Sequence, residues 1–172
     1  MSATGCGIED IRWMELFDRL RADRGTPLPL PPSGSMEITS RCNLACRHCY
    51  ISYPGADHRE MSISDVCRVV DKLAEGGAFF LLLTGGEPLL RKDFKDIYLH
   101  AKRAGLIVTV FTNATLMTEP LADLFAEWPP RRVEISVYGF SEQVYEKITG
   151  RTGAWRAMRA GLDRLLARQV KV

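Results

Sequence analysis

Two rhythms of apolar and polar residues alternate along this chain. Four short runs rich in β-branched, aromatic and leucine residues read as strands: 36–41 (MEITSR), 78–83 (AFFLLL), 106–111 (LIVTVF) and 132–138 (RVEISVY). Between them, helical spacing predicts helices near 62–76, 92–104, 118–127 and 141–168, the last broken around TGRTGAW (149–155). Several boundaries have a local cause. Ser62 and Asp65 have the spacing of a capping box with Asp in the acidic position, Gly76-Gly77 and Gly105 can end helices, and Pro120 fits a first turn. Alternating βα units of this length predict a parallel sheet with right-handed crossovers. In the fourth run, period two assigns Val133, Ile135 and Val137 to the helix-covered face and Glu134, Ser136 and Tyr138 to the other.

Both ends of the chain depart from this regular alternation. Ile8, Ile11, Trp13, Leu16, Phe17 and Leu20 give an approximate helical stripe, which GTPLPLPPSGS (25–35) then interrupts. Residues 1–35 are therefore expected to form an N-terminal helix and spacer outside an α/β domain over 36–172. At the other end, RQVKV (168–172) reads as the opening of a fifth strand after four complete βα units.

Composition narrows the function classes. A chain of 172 residues with 46% hydrophobic residues can bury one sizeable core. The net charge of +2, from 23 basic and 21 acidic residues dispersed along the chain, offers no electrostatic footprint for nucleic acid. The N-terminus mixes acids into its apolar residues, and no run approaches the ~18 apolar residues of a membrane span, so a soluble, cytoplasmic protein is expected. Three of the five cysteines fall within Cys42–Cys49, which suits a reducing compartment where thiolates hold metal.

The chemistry-bearing stretches share one address. In a parallel α/β sheet, ligands collect at the carboxyl ends of the strands. CNLACRHCY (42–50) follows the first strand, TGGEP (84–88) the second, TNA (112–114) the third and YGFSE (138–142) the fourth. Three cysteines are one short of the four irons of a [4Fe–4S] cluster, which leaves one iron open to another ligand. A zinc site using these thiols with His48 or His58 is the alternative. In TGGEP, Gly85 and Gly86 remove Cβ atoms where a ligand could approach the backbone, and Pro88 stops the strand.

C-x3-C-x2-C after the first strand, with GGEP one βα unit later, resembles the radical S-adenosylmethionine (SAM) superfamily. The resemblance implies a partial (β/α) barrel, a [4Fe–4S] cluster on Cys42, Cys46 and Cys49, and S-adenosylmethionine chelated to the open iron. Cleavage of SAM would yield a 5′-deoxyadenosyl radical that abstracts hydrogen from substrate. It further implies that His48 lies near the adenine and that the Gly85, Gly86, Glu87 and Pro88 backbone receives the SAM ammonium group. Glu87 is expected on the rim as a carboxylate for that cation. Asn113 is similar to the asparagine of the family's T-N-G, with Ala114 where glycine is common. Ser136 matches a polar position that contacts the SAM ribose or carboxylate, or else is a structural hydroxyl.

Residues 136–166 resemble the fourth strand and following helix of peptide-modifying members, which implies a peptide or protein substrate and a reductant such as flavodoxin or ferredoxin. Such members often carry a C-terminal SPASM domain, yet no cysteine follows Cys67 here, and the residues before the first strand are too few for a winged-helix domain. The family core has six βα units, so SAM cleavage by this chain is expected to be slow, uncoupled or absent unless a second polypeptide completes the barrel. The rival reading is a non-catalytic cluster- or zinc-binding module or a truncated remnant. Cys67 shares a helical stripe with Ile63, Val70 and Ala74 and is expected as a buried small hydrophobe, Cys6 as a free thiol, and Arg91-Lys92 and Arg131-Arg132 as solvated loop residues.

Overall fold

The alternating units assemble as their spacing requires. The computed structural model describes residues 32–51 and 60–172, so the helix expected over Ile8–Leu20, Cys6 and His58 lie outside the described residues. Strands β1 (Ser33–Glu37), β2 (Phe80–Thr84), β3 (Ile107–Thr112) and β4 (Arg132–Ile135) form one parallel sheet in the order β1-β2-β3-β4. Helices α1 (Ile63–Glu75), α2 (Phe94–Arg103), α3 (Glu119–Glu127), α4 (Glu142–Thr149) and α5 (Ala154–Ala167) fill the connections, with a 3-10 turn at Pro88–Leu90. The sheet is not closed: β1 and β4 are its edges.

Helix ends follow their signals. Ser62 accepts from Asp65 N–H, Thr118 from Leu121 N–H with Pro120 in the first turn, and Ser141 from Val144 N–H. The long helical segment breaks into α4 and α5 at Gly150 and Gly153, both in the left-handed region. One face of the sheet is buried under helices, with Leu81, Leu83, Val108, Val110 and Val133 packed against Ile97, Tyr98 and Phe125. A second, smaller core of Leu44, Ala114, Tyr145, Ala154 and Met158 lies beneath the cysteine loop.

The structure corrects several expectations. β1 starts at Ser33, inside the expected spacer, because Phe79 and Phe80 N–H donate to Pro32 O and begin the ladder early. It ends at Glu37 rather than 41, after which the chain turns to meet the β2 loop. β4 stops at Ile135, and Val137 is 45% exposed instead of helix-covered, since the ladder continues only through Ser136 N–H to Thr112 O. Glu134 finds its partner in Arg132 at 2.7 Å. Cys67 is half-buried and Ile63 exposed, because the buried stripe of α1 runs through Val66 and Val70. Arg91 is not solvated: it is 5% exposed, donates to Ile38 O at 2.8 Å and Met61 O at 3.1 Å, and pairs with Asp93. Lys171 O accepts from Val133 N–H at 2.8 Å, so the RQVKV segment touches the free edge of β4 through one bond, while the sheet of the described residues keeps four strands.

Gly161 in α5 lets the helix touch the loop after β3. A Cβ there would sit 2.1 Å from Ala114 O and 3.0 Å from Met117 Cβ. In an unhindered helix, Gly→Ala gains about 1 kcal/mol. Here Gly161→Ala is expected to destabilise by about 1–3 kcal/mol through overpacking, and urea unfolding that finds it neutral or stabilising would show that α5 can move away at no cost.

Candidate functional site

The site begins where two loops cross. After β2 the chain passes so close to residues 39–41 that Gly86 N–H donates to Thr39 O at 2.8 Å and Glu87 N–H to Arg41 O at 2.9 Å. Gly85 has φ +152°, and a Cβ on it would lie 2.3 Å from Thr39 O; one on Gly86 would lie 2.4 Å from Arg41 O. The two glycines therefore serve a backbone-to-backbone approach within the protein, and this approach directs the chain into Cys42.

Glu87 is not displayed on the rim. It is 1% exposed and folds under the end of β3, where it accepts from Thr112 Oγ1 (2.7 Å), Asn113 N–H (2.7 Å) and Leu89 N–H (3.0 Å). Burial pushes its carboxyl above the usual range, and the three donated bonds oppose that rise. Pro88 is buried beside it in the 3-10 turn. At the end of β3, Ala114 has φ +58° and is fully buried, so the position where the family commonly has glycine does take a left-handed backbone.

The cysteine loop is tied down from outside the sheet. Ala45 N–H donates to Thr149 O at 2.9 Å and Arg47 N–H to Ile148 O at 3.0 Å, so the loop caps the C-terminal carbonyls of α4. Arg151 adds a bond to Asn43 O at 2.7 Å. Glu60 pairs with Arg41 at 2.7 Å and accepts from Thr39 Oγ1. Cys42, Cys46 and Cys49 are all half-buried. Burial, and then for Cys46 the neighbouring Cys42 and Cys49, pushes the Cys42 and Cys46 thiols up. Metal ligation requires thiolates, so filling such a site releases these protons.

The three cysteines border one cleft of about 150 Å³ at the carboxyl ends of the strands. Gly85, Gly86, Asn113 and Ser136 border it too, and so does His48, whose ring lies edge-on to Tyr138 with centroids 4.5 Å apart. Glu87 and Pro88 lie behind its wall instead. The sequence reading missed Asn43 and Thr115, which join Asn113 in a hydrogen-bonded ring, and Phe111, which lines the cleft from β3. Phe111 points away from the face that buries Val108 and Val110, so period two along β3 was the signal that could have found it; the ring left no local signal.

A family model described as the radical SAM superfamily matches residues 36–172. The chain is 32% identical over 128 residues to the AdoMet-dependent heme synthase of Methanosarcina barkeri, covering 74% of this chain and 37% of that one. It is 31% identical over 149 residues to the mycofactocin maturase MftC of Mycolicibacterium smegmatis, covering 87% and 36%. Native anSMEcpe with bound AdoMet and Kp18Cys peptide shares the fold, with TM-score 0.69 and 18% identity over 82% of this chain and 42% of that one. The chain thus spans little more than a third of the length of these curated relatives. No helix among the described residues is long and apolar enough to cross a membrane. With the match running from the first cysteine-bearing unit to Val172, the chain belongs to the radical SAM superfamily.

Proposed function

We propose that this chain is the core of a radical SAM enzyme that holds a [4Fe–4S] cluster on Cys42, Cys46 and Cys49 and binds S-adenosylmethionine against the ends of β2, β3 and β4. One observation carries the reading: three thiols from one loop and the bare backbone of Gly85-Gly86 border the same cleft. The donor set suits the group, because clusters of this kind take cysteine thiolates and three of them leave one iron for another ligand. A single zinc ion needs its ligands converging at about 2.3 Å on one point. Zinc on these thiols with His48 or His58 as fourth ligand is the rival that metal analysis decides.

When bound, the cluster supplies the electron that cleaves SAM to the 5′-deoxyadenosyl radical. The chain's own residues bind and orient. Backbone groups of the Gly85-Gly86 turn receive the SAM ammonium group; Glu87, engaged by three donors, holds that turn under β3 rather than meeting the cation. His48, steadied by Tyr138, would offer a flat ring to the adenine; Ser136 and Asn113 border the same cleft, where the Ser136 hydroxyl would meet the SAM ribose or carboxylate. Substrates of peptide or protein class are supported by the maturase likeness and by the peptide in the anSMEcpe structure. A flavodoxin- or ferredoxin-class protein of the cytoplasm would supply the electron.

Anaerobic iron–sulfur reconstitution tests the reading. About four iron and four sulfide per chain with a broad visible band are expected; one zinc and no colour would sink it. Replacing any one of Cys42, Cys46 or Cys49 by alanine should remove most of the iron, whereas Cys67→Ala should keep it and cost on the order of 1 kcal/mol or less. The reverse pattern in iron analysis would reassign the ligands. Gly86→Val places a branched side chain against Arg41 O and Ser40 O. It should lower cluster loading and thermal stability together, in contrast to a change confined to SAM affinity, and paired iron and melting measurements separate the two.

A further inference from the structure

Side-chain amides leave their oxygen and nitrogen to be assigned from their partners. At the end of β3 the partners leave no choice. Thr115 N–H can only donate, and it lies 2.9 Å from Asn113 Oδ1, which fixes that atom as oxygen. The Thr115 hydroxyl also donates to Asn113 Oδ1, at 2.6 Å, so its own oxygen accepts from Asn43 Nδ2 at 2.8 Å. Asn43 Oδ1 then faces Asn113 Nδ2 at 3.0 Å. The ring is closed, and one hydrogen of the Asn113 amide is left over. Cys42 Sγ lies 3.9 Å from that nitrogen.

Asn113 has little freedom to turn elsewhere. It is 6% exposed, and its backbone N–H is held by the buried Glu87 carboxylate at 2.7 Å. The Cys42 sulfur also receives Leu44 N–H at 3.4 Å. From this geometry we propose that Asn113 is a positioning residue that raises the reduction potential of the bound cluster by aiming its amide N–H at Cys42 Sγ. The inference rests on the cluster reading above and goes beyond it, since it gives Asn113 a role through Cys42 rather than toward SAM. The physical reason is charge. A donor at a ligand sulfur stabilises negative charge there, and reduction adds an electron to the group that the sulfur holds, so the reduced form gains more from the bond.

The test uses the full 172-residue chain, reconstituted anaerobically, with midpoints read by EPR-monitored redox titration in the absence of SAM. Asn113→Leu removes the donor at similar volume. Asn113→Asp keeps oxygens for both Thr115 donors and replaces the N–H with negative charge. Thr115→Val breaks the ring but leaves the amide and its backbone partner in place, so it reports bracing alone. We expect Asn113→Leu to shift the reduction equilibrium about tenfold toward the oxidised form, about 59 mV lower for a one-electron couple, and Asn113→Asp to shift it at least as far. Thr115→Val should keep the wild-type midpoint while lowering thermal stability. A wild-type midpoint in an Asn113 variant that carries its iron overturns the inference alone, and so does a Thr115→Val shift as large as that of Asn113→Leu. A wild-type chain that assembles no cluster overturns this inference together with the reading beneath it.

Discussion

The site depends on one close approach: the backbone after β2 lying against the backbone after β1. Two hydrogen bonds, Gly86 to Thr39 and Glu87 to Arg41, join segments that diverge from neighbouring strands, and no Cβ fits on either glycine. Everything at the rim follows from that contact. It launches the chain toward Cys42 on one side, and on the other it turns Glu87 inward beneath β3. A carboxylate taken out of water must find donors, and those it finds, Thr112, Asn113 and Leu89, fix the third strand's end relative to the second. Cleft geometry is thereby built from backbone and one buried acid before any ligand arrives.

A second constraint comes from the far side of the cysteine loop. The last carbonyls of α4 need donors, and Ala45 and Arg47 supply them. Tyr145, Ala154 and Met158 press Leu44 and the neighbouring cysteines from below as a small core separate from the main one. Gly161 allows α5 to reach Ala114, so the same helical pair that supports the cysteine loop also supports the loop after β3. The helices following the fourth strand thus act as a back wall for a cleft whose three cysteines all come from the first unit.

What the sequence made legible was periodic or local. Strand and helix rhythm, the capping serines, the break at Gly150 and Gly153, and the gathering of four unusual loops on one rim all depend on neighbours in sequence. What it concealed depends on distant contact. Arg91 looks like a loop cation beside Lys92, and its burial arises from carbonyls 53 and 30 residues away. Glu87 reads as a displayed carboxylate because nothing in TGGEP says the turn folds under β3. The Asn43–Thr115 bond spans 72 residues with no local pattern at either end. The glycines of TGGEP also answer to a contact with no local signal: they admit the backbone of residues 39–41 as well as bordering the cleft.

The excursion that carries the cysteines starts and finishes at one place. Arg41 and Glu60, 19 positions apart, are paired, and Arg91 bridges the carbonyls of Ile38 and Met61. A polymer clamped at its base has a closure entropy that grows only with the logarithm of its contour, about 0.6 kcal/mol for each doubling. The segment between Arg41 and Glu60 is closed at its base by an ion pair and two bonds from one buried guanidinium, so the three cysteines take their position from that base as well as from the end of α4.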